Sequence, residues 1–524
     1  MSNIHEKLQQ HQKDLTQLSL SALVASEKNR VADWSFEEAG LRVDFAKNFV
    51  NQDTKALWAQ WWEKAGLREH LADLHAGKAV NNSEDRPALH HRLRTPAGKI
   101  DDAISRDVAA VHEQLRQISE KAAQSAFVGF SGKAITDVVH IGIGGSELGP
   151  RLVCHALEHL KTTTYRLHFL ASPDAYYLNS LQSALNPETT LCIIASKSFT
   201  TEETLHNAEK LRTWLHNAAQ GADISGQFFA LTAKPKLAEA WGVSAEQILP
   251  LWDFVGGRYS LWSSIALPLV LQNGYEQYQA LLAGAHEMDE HFQHAPYERN
   301  IPVLLATLDA WYNHYFQYNN RAMITYCQPL RDFVPHIQQL EMESLGKRAD
   351  KNGQPLPFPS GMLIWGGAGT DAQHAYFQLL HQGHRNGAMD FITVKQAPKG
   401  FEDTQALLHS HYIAQQEAFM MGQSEEDLSH LPESKRFERT NGGNRPTTSV
   451  VLSDLTPRTV GALVAMYEHK TSAQGVLYGL NAYDQWGVEY GKKLASAVQE
   501  ELLGRGVGEH DVDTVALIGL LKRG

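Results

Sequence analysis

Cysteine is nearly absent from this sequence. Only Cys154, Cys192 and Cys327 occur in 524 residues, widely spaced and in apolar surroundings. No CxxC or Cys/His spacing occurs, which excludes the common zinc and redox motifs. Three lone thiols read as buried and unpaired in a reducing compartment. Basic charge is in deficit: 47 Lys and Arg stand against 59 Asp and Glu, a net charge of -12. A general nucleic-acid binder needs a basic footprint, so that class is set aside. An anionic small molecule stays compatible if the positive groups are local. Also missing are an apolar run of bilayer length and an apolar core in the opening MSNIHEKLQQHQKDL. No membrane span or secretory leader is expected, and the reading is cytoplasmic. The length is too great for one ordinary core and predicts two domains or more.

The stretch Leu191 to Leu215, LCIIASKSFTTEETLHNAEKLRTWL, organises what is there. It predicts a buried strand over Leu191–Ala195, a hydroxyl-rich turn Ser196-Lys197-Ser198-Phe199-Thr200-Thr201, and a helix with Leu205, Ala208 and Leu211 on one face. Thr200 and Glu203 have capping-box spacing. Free N–H groups at the head of the helix, with the hydroxyls and the ammonium, suit a phosphate. The bland alternative is a polar cap with a surface lysine. Glu202 and Glu203 would repel an anion unless they point away.

Residues 1 to about 118 read as helical. LTQLSLSALVASEKNR and FAKNFV carry apolar residues at helical intervals, and Trp58, Trp61 and Trp62 lie near one helix face as packing. Gly77 to Arg94 reads as a loop entering a helix, with a suggestive content of Arg and His. At Thr136 the texture changes. TDVVHIGIGGSELGPRLVCHAL predicts a strand over Asp137–Ile143, a glycine turn, and a helix with Pro150 in its first turn. The turn resembles a dinucleotide fingerprint but has Glu147 in place of the third glycine, and it lacks the P-loop ending. Further strands are predicted at Leu167–Leu170 and Phe228–Leu231. Alternating strands and helices imply a parallel sheet with ligands at the carboxyl ends of its strands, so Ser146 and Ser196 are expected to face one crevice. Arg258 follows Gly256-Gly257 in an apolar setting. It needs a partner, either a structural salt bridge or a bound anion.

From Asn300 the alternation restarts. A buried helix, IPVLLATLDAWYNHYF, precedes strands at Arg321–Tyr326, Met362–Trp365, Met389–Val394 and Thr448–Leu452. Phe333–Lys347 reads as helical and GAGTDAQH as a turn that leaves His374 at a helix start. Strand, glycine turn and helix repeat the pattern near Gly142, so the chain reads as two doubly wound domains of one type. Gly400–Arg439 is a polar, helical excursion. NAYDQWGVEYGKKLASAVQEELL predicts one long helix, with Gln485 and Lys492 on one face and Glu489 paired to Lys493. The boundaries are 1–118 helical, 119–285 first domain, 286–484 second domain, and 485–524 helical. Glu341 and Glu343 are two apart and point to different helix faces, which leaves one of them a structural or solvated charge. His381 and His384 are three apart, but no carboxylate completes a metal site, and no metal is assigned.

The segments GIGGSELGP, SKSFTTEET, GGRYSLWS, MESLGK, GTDAQHAYFQLLHQG, GNRP and QWGVEYGK run in that order from about Asn81 to Lys492. Together they resemble the glucose-6-phosphate isomerase (phosphoglucose isomerase) family. The resemblance implies an α/β fold of two SIS-type doubly wound parallel-sheet domains with helical N- and C-terminal extensions. It implies reversible conversion of glucose 6-phosphate and fructose 6-phosphate, within glycolysis and gluconeogenesis, with no metal or organic cofactor. Carried over by motif, Glu343 resembles the base that moves a proton between sugar C1 and C2. His374 looks like the ring-opening acid–base residue, Lys492 like its helper, and Arg258 like the stabiliser of the enediolate. Ser196, Lys197, Ser198 and Thr201 resemble the phosphate cradle, with Ser146 beside it. Gln339, Gln485 and Gly257 fit substrate contacts. Family members are commonly homodimers, which implies that His374 acts across an interface. Departures from the family's usual residues occur at Leu345, Asp371-Ala372, Tyr490 and Ser172-Pro173, all neighbours of the proposed site residues. Two rivals remain. A phosphosugar sensor would keep Ser196 to Thr201 but need no Glu343, His374 or Lys492. A nicotinamide-dependent oxidoreductase would rely on the Gly142 turn.

Overall fold

The apolar runs become the inner strands of two sheets, one wholly parallel and one parallel but for its hairpin edge. The computed structural model describes residues 2–383 and 387–522, and the chain divides into two units, Met1–Ala482 and Tyr483–Gly524. In the first unit a hairpin comes first, β1 (Ser35–Glu38) and β2 (Leu41–Asp44). A five-stranded sheet follows, from β3 (Asp137–Ile141), β4 (Arg166–Leu170), β5 (Thr190–Ala195), β6 (Phe228–Thr232) and β7 (Ile248–Pro250), in the order β4-β3-β5-β6-β7. Every pairing in it is parallel. The chain then builds β8 (Asn320–Tyr326), β9 (Leu363–Ala368), β10 (Ala388–Val394) and β11 (Thr447–Leu452), and the second sheet has the order β1-β2-β11-β10-β8-β9. Relabelled from β3 and from β8, both sheets run second, first, third, fourth. That shared order supports the reading of one architecture used twice. All residues of β3, β5, β6 and β10 are buried, as strands covered by helices on both faces require.

The N-terminal region is helical with two exceptions that the periodicity concealed. The hairpin alternates at period two, burying Phe36, Leu41 and Val43, and turns through Ala39 and Gly40, both at positive φ. Its strand β2 pairs antiparallel with β11 and so extends the second sheet. FAKNFV is an irregular turn instead of a helix. Buried Asn48 explains it, because its Nδ2 donates to Phe45 O at 3.1 Å and to Thr447 O at 3.0 Å, fixing a non-helical path. The tryptophans behave as expected: Trp58, Trp61 and Trp62 are at most 2% exposed. Cys154 and Cys192 are buried and unpaired, whereas Cys327 is partly exposed.

One helix, Pro457–Tyr478, runs through the interior with every residue but Arg458 and Val476 buried. It meets the helix Tyr275–His294 backbone to backbone. A Cβ on Gly461 would fall 2.0 Å from Leu281 O, and one on Gly284 1.8 Å from Arg458 O. Its middle turn carries Glu468, His469 and Lys470 into two buried charge clusters. In the first, Arg94 donates to Asp289 and to Glu468, and Trp262 Nε1 donates to Glu468 Oε1 at 2.8 Å. In the second, Lys470 Nζ lies 2.5 Å from Glu341 Oε1 and 2.6 Å from Asp309 Oδ2.

In the second unit the long helix is shorter than expected. It spans Glu489–Leu502 after a tight turn, Trp486–Val488, and Gln485 precedes both with φ -154° and ψ 48°. Gln485 and Lys492 therefore do not share a helix face. Glu489 pairs with Lys492 at 3.3 Å, the i,i+3 neighbour, instead of Lys493. Among the described residues no helix is long and apolar enough to cross a membrane.

Buried histidines make the fold acid-sensitive. Burial pushes His140 and His336 down to about 4, and His91 and His314 down to about 3. All four stay neutral in the fold at pH 7, whereas unfolding returns them to an ordinary value near 6.5. Between those values the unfolded chain binds more protons, so their stabilisation is complete above about pH 6.5 and is lost as pH falls toward 4. Glu468, raised to about 7 chiefly by burial, works in the opposite sense as a single group. We expect the calorimetric melting temperature to fall from about pH 6.5 downward, above the carboxylate range. The fall should be shallower in a His336→Gln variant. A flat profile there would exclude this source of acid sensitivity.

Candidate functional site

In the first sheet the strand order reverses between β3 and β5, which opens a crevice at their carboxyl ends. The glycine turn after β3 and the hydroxyl turn after β5 both enter it. Gly144 has φ +59°, and a Cβ on Gly145 would lie 2.1 Å from Gly257 O, so only glycine lets the turn seat against the loop that carries Arg258. His140 Nε2 donates to Ser146 O at 2.6 Å and ties the turn back to β3. The hydroxyl turn is folded by Phe199, which is buried at φ +51°, with its N–H donating to Ser196 O at 3.1 Å.

The capping box expected between Thr200 and Glu203 does not form. The helix Glu202–Ala219 starts one residue later, with Thr201 at its N-cap, and no side-chain cap bond is found there among the described residues. The hydroxyls bond within the turn instead. Ser196 Oγ donates to Thr201 Oγ1 at 3.1 Å, and Thr200 Oγ1 to Ser198 Oγ at 2.7 Å. The first amides of the helix are thus left without a side-chain acceptor at the edge of the crevice.

A cavity of ≈ 390 Å³ occupies this place, and Ser146, Ser196, Lys197, Ser198 and Thr201 all line it. The structure therefore brings together the five residues that the motifs assigned to a phosphate. Glu202 and Glu203 are not among the residues that line it. The sequence reading missed Arg86, Thr204, Lys234 and Asp253, which also line it. Lys234 follows β6, the strand beside β5, so the rule that ligands sit at strand ends could have found it. Arg86 comes from the Gly77–Arg94 loop, where no local pattern distinguishes it. Lys197 is more restrained than expected. Its Nζ donates to Asp253 O at 3.2 Å and Val255 O at 3.0 Å. Burial lowers its pKa, and Asp253 pulls the other way.

Next to this cavity, Arg258 sits in the tight turn Gly257–Trp262 and is 3% exposed. Its Nε donates to Ser344 Oγ at 2.6 Å and its Nη2 to Ala482 O at 2.8 Å. Its Nη1 lies 3.6 Å from Glu343 Oε2. The residue that a buried arginine requires is thus a carboxylate with a partly exposed side chain. Glu343 closes a π-helical turn, Gln338–Glu343, that interrupts the helix expected over Phe333–Lys347. Such turns are rare and frequent at functional sites. Gln339 on the same turn approaches the glycine turn, since a Cβ on Gly144 would fall 2.9 Å from its Nε2. Gln339 Oε1 is buried with no hydrogen-bond partner among the described residues. Gly145, Gly257, Arg258 and Glu343 therefore form a continuous path leading away from the cavity.

The remaining candidates are not among the residues that line this cavity. The strand β9 runs on to Ala368, and the expected turn is the helix Gly369–Ala375, so His374 occupies a last helical turn and is exposed. Lys492 and Gln485 belong to the second unit, where Lys492 is exposed. His381 stacks on Phe419 at 4.1 Å and donates to Gln415 Oε1 at 2.9 Å, a structural role. His384, its suggested partner for a metal, lies outside the described residues.

If Arg86 faces a bound anion, Arg86→Ala should weaken inorganic phosphate binding about tenfold, the usual worth of a charged hydrogen bond. Titration calorimetry with inorganic phosphate measures this. Unchanged affinity would remove Arg86 from the anion site.

The sequence model of the phosphoglucose isomerase family matches residues 44–518. The chain is 40% identical to glucose-6-phosphate isomerase 2 of Chromobacterium violaceum, covering 99% of this chain and 96% of that protein. It is 40% identical to a glucose-6-phosphate isomerase of Pseudomonas aeruginosa, covering 98% and 95%. Among solved structures, a glucose-6-phosphate isomerase from Chlamydia trachomatis superposes with a TM-score of 0.85 at 27% identity, covering 98% of each chain.

Proposed function

The chain belongs to the phosphoglucose isomerase family, and from that membership we propose that it interconverts glucose 6-phosphate and fructose 6-phosphate through ring opening and an enediolate. The observation that carries the proposal is the pairing of Glu343 with Arg258 beside a cavity lined by hydroxyls and cations. A phosphosugar sensor would need the cavity but not the pair. An oxidoreductase would need a ribose-binding acid that the Gly142 turn does not offer.

In this reading the phosphate sits among Ser146, Ser196, Ser198 and Thr201, with Lys197, Arg86 and Lys234 supplying the local positive charge. Phosphate contacts position the sugar and help the reaction only by holding its carbons near Glu343. A proton on carbon next to a carbonyl is weakly acidic, so its removal needs a placed base and stabilisation of the resulting oxyanion. Glu343 takes the C2 proton and returns it to C1 on the same face. The guanidinium of Arg258, held by Ser344 and Ala482, stabilises the enediolate by on the order of 3 kcal/mol, as oxyanion donors do. Gln339, Gln485 and Gly257 contact the substrate. The closed sugar must open first, which the motifs give to His374 with Lys492 as helper. An exposed His374 suits donation to a partner subunit's site, so we propose a homodimer. The proposal extends to a cytoplasmic enzyme of glycolysis and gluconeogenesis that calls on no metal or organic cofactor.

Purified protein with fructose 6-phosphate and no added metal should form glucose 6-phosphate; no product would refute the assignment. Glu343→Gln should lower kcat by about 10³ and abolish exchange of the C2 proton with solvent deuterium, while substrate still binds. Persistent exchange in that variant would move the base to another residue. His374→Ala should slow turnover of closed-ring substrate far more than that of open-chain substrate. Equal losses would rule out a ring-opening role.

A further inference from the structure

The π turn Gln338–Glu343 carries two residues of the proposed site and, midway between them, a third acidic or polar side chain that faces inward. A π turn closes from i to i+5, so Gln339 and Glu343 lie close to one face and Glu341 lies opposite. Glu341 is 2% exposed, and its Oε1 accepts from Lys470 Nζ at 2.5 Å. Lys470 has no exposed side-chain surface and also reaches Asp309 Oδ2 at 2.6 Å. Arg321 binds Asp309 and Asp390 in turn, and Tyr467 OH donates to Asp390 Oδ2 at 3.0 Å. The cluster thus ties the π turn to the helix Pro457–Tyr478, to the helix Ile301–Tyr315, and to β8 and β10.

A buried ion pair is a poor source of stability, because apolar residues of similar size do as well or better. Its special property is that each charge accepts only one kind of neighbour. An apolar side chain at position 341 could pack in several rotations of the turn, whereas a carboxylate there is held to Lys470. We propose that Glu341 and Lys470 are positioning residues: their ion pair fixes the rotation of the π turn, and so holds Glu343 beside Arg258 and Gln339 against the glycine turn. On the opposite flank Ser344 is pinned by Arg258 Nε at 2.6 Å, so the turn is clamped from both sides. The inference rests on the isomerase reading, in which the placement of Glu343 limits proton transfer.

The test uses the full chain with Glu341→Gln, Lys470→Met, and the paired variant Glu341→Met with Lys470→Met. The paired variant removes one charge of each sign, so the net charge of the cluster is kept and folding is favoured. Turnover of fructose 6-phosphate, affinity for inorganic phosphate and melting temperature are read together. In the paired variant kcat should fall by at least about tenfold, because a misplaced reacting group loses rate steeply, while phosphate affinity stays within about twofold. Tyr467→Phe, at the far end of the same cluster, should lower the melting temperature and leave kcat unchanged. A folded paired variant with wild-type kcat overturns the inference, as does an equal loss of kcat in Tyr467→Phe. If the paired variant does not fold, Glu341→Gln decides on the same criterion. A wild-type chain without isomerase activity overturns the functional reading and this inference with it, whereas an active wild type with a fully active paired variant overturns this inference alone.

Discussion

An ammonium group with no access to water must be surrounded by carboxylates, and Lys470 is such a group. Burial pulls its pKa down, and Glu341 pushes it back. One turn of the helix Pro457–Tyr478 places Glu468 and His469 beside it, in the first cluster, with Arg94 and Asp289. Residues separated by hundreds of positions are thereby required to meet. Removing one partner from such a cluster costs about 3–5 kcal/mol, since the other is stranded. The clusters therefore specify which surfaces pack together, more than how tightly. The glycines at 284 and 461, which let the two interior helices touch along their backbones, complete the same constraint.

The site is assembled on the edge of this rigid interior. Strand ends deliver the glycine turn, the hydroxyl turn and Lys234; a loop from the N-terminal region delivers Arg86. The tight turn with Arg258 rests on Gly145 and reaches the π turn. Placing a site on strand ends and clamped turns lowers the freedom of its groups, which the proposed proton transfer would require. The electrostatics are local in the same way. The chain as a whole carries a net charge of -12, yet among the described residues three cations line one cavity with a single carboxylate, Asp253. A net acidic chain and a cavity lined by cations coexist because screening confines each charge to its own neighbourhood.

Much of this was determined by the sequence alone. The run Leu191–Ala195 is apolar on both faces and reads as a strand covered on both sides. The glycine turn after Asp137–Ile141 and the hydroxyl turn after Leu191–Ala195 are legible as motifs, and the order of such motifs along the chain resembles that of the family. Local patterns failed where a distant partner overrode them. Asn48 holds FAKNFV in an irregular turn by bonding to Phe45 and Thr447. The hydroxyls of Ser196 and Thr200 bond inside their turn, and so the cap of the next helix moves by one residue. Only the tertiary structure decided what each of the two neighbouring glutamates faces: Glu341 turns to Lys470, 129 positions away, and leaves Glu343 to Arg258. It also decided that Arg86 joins the cavity and that Lys197 is partly spent on Asp253 and Val255. Periodicity and motif report what a residue's chain neighbours impose. Which charge faces which across the interior depends on contacts between residues far apart in the chain, and those exist only once it has folded.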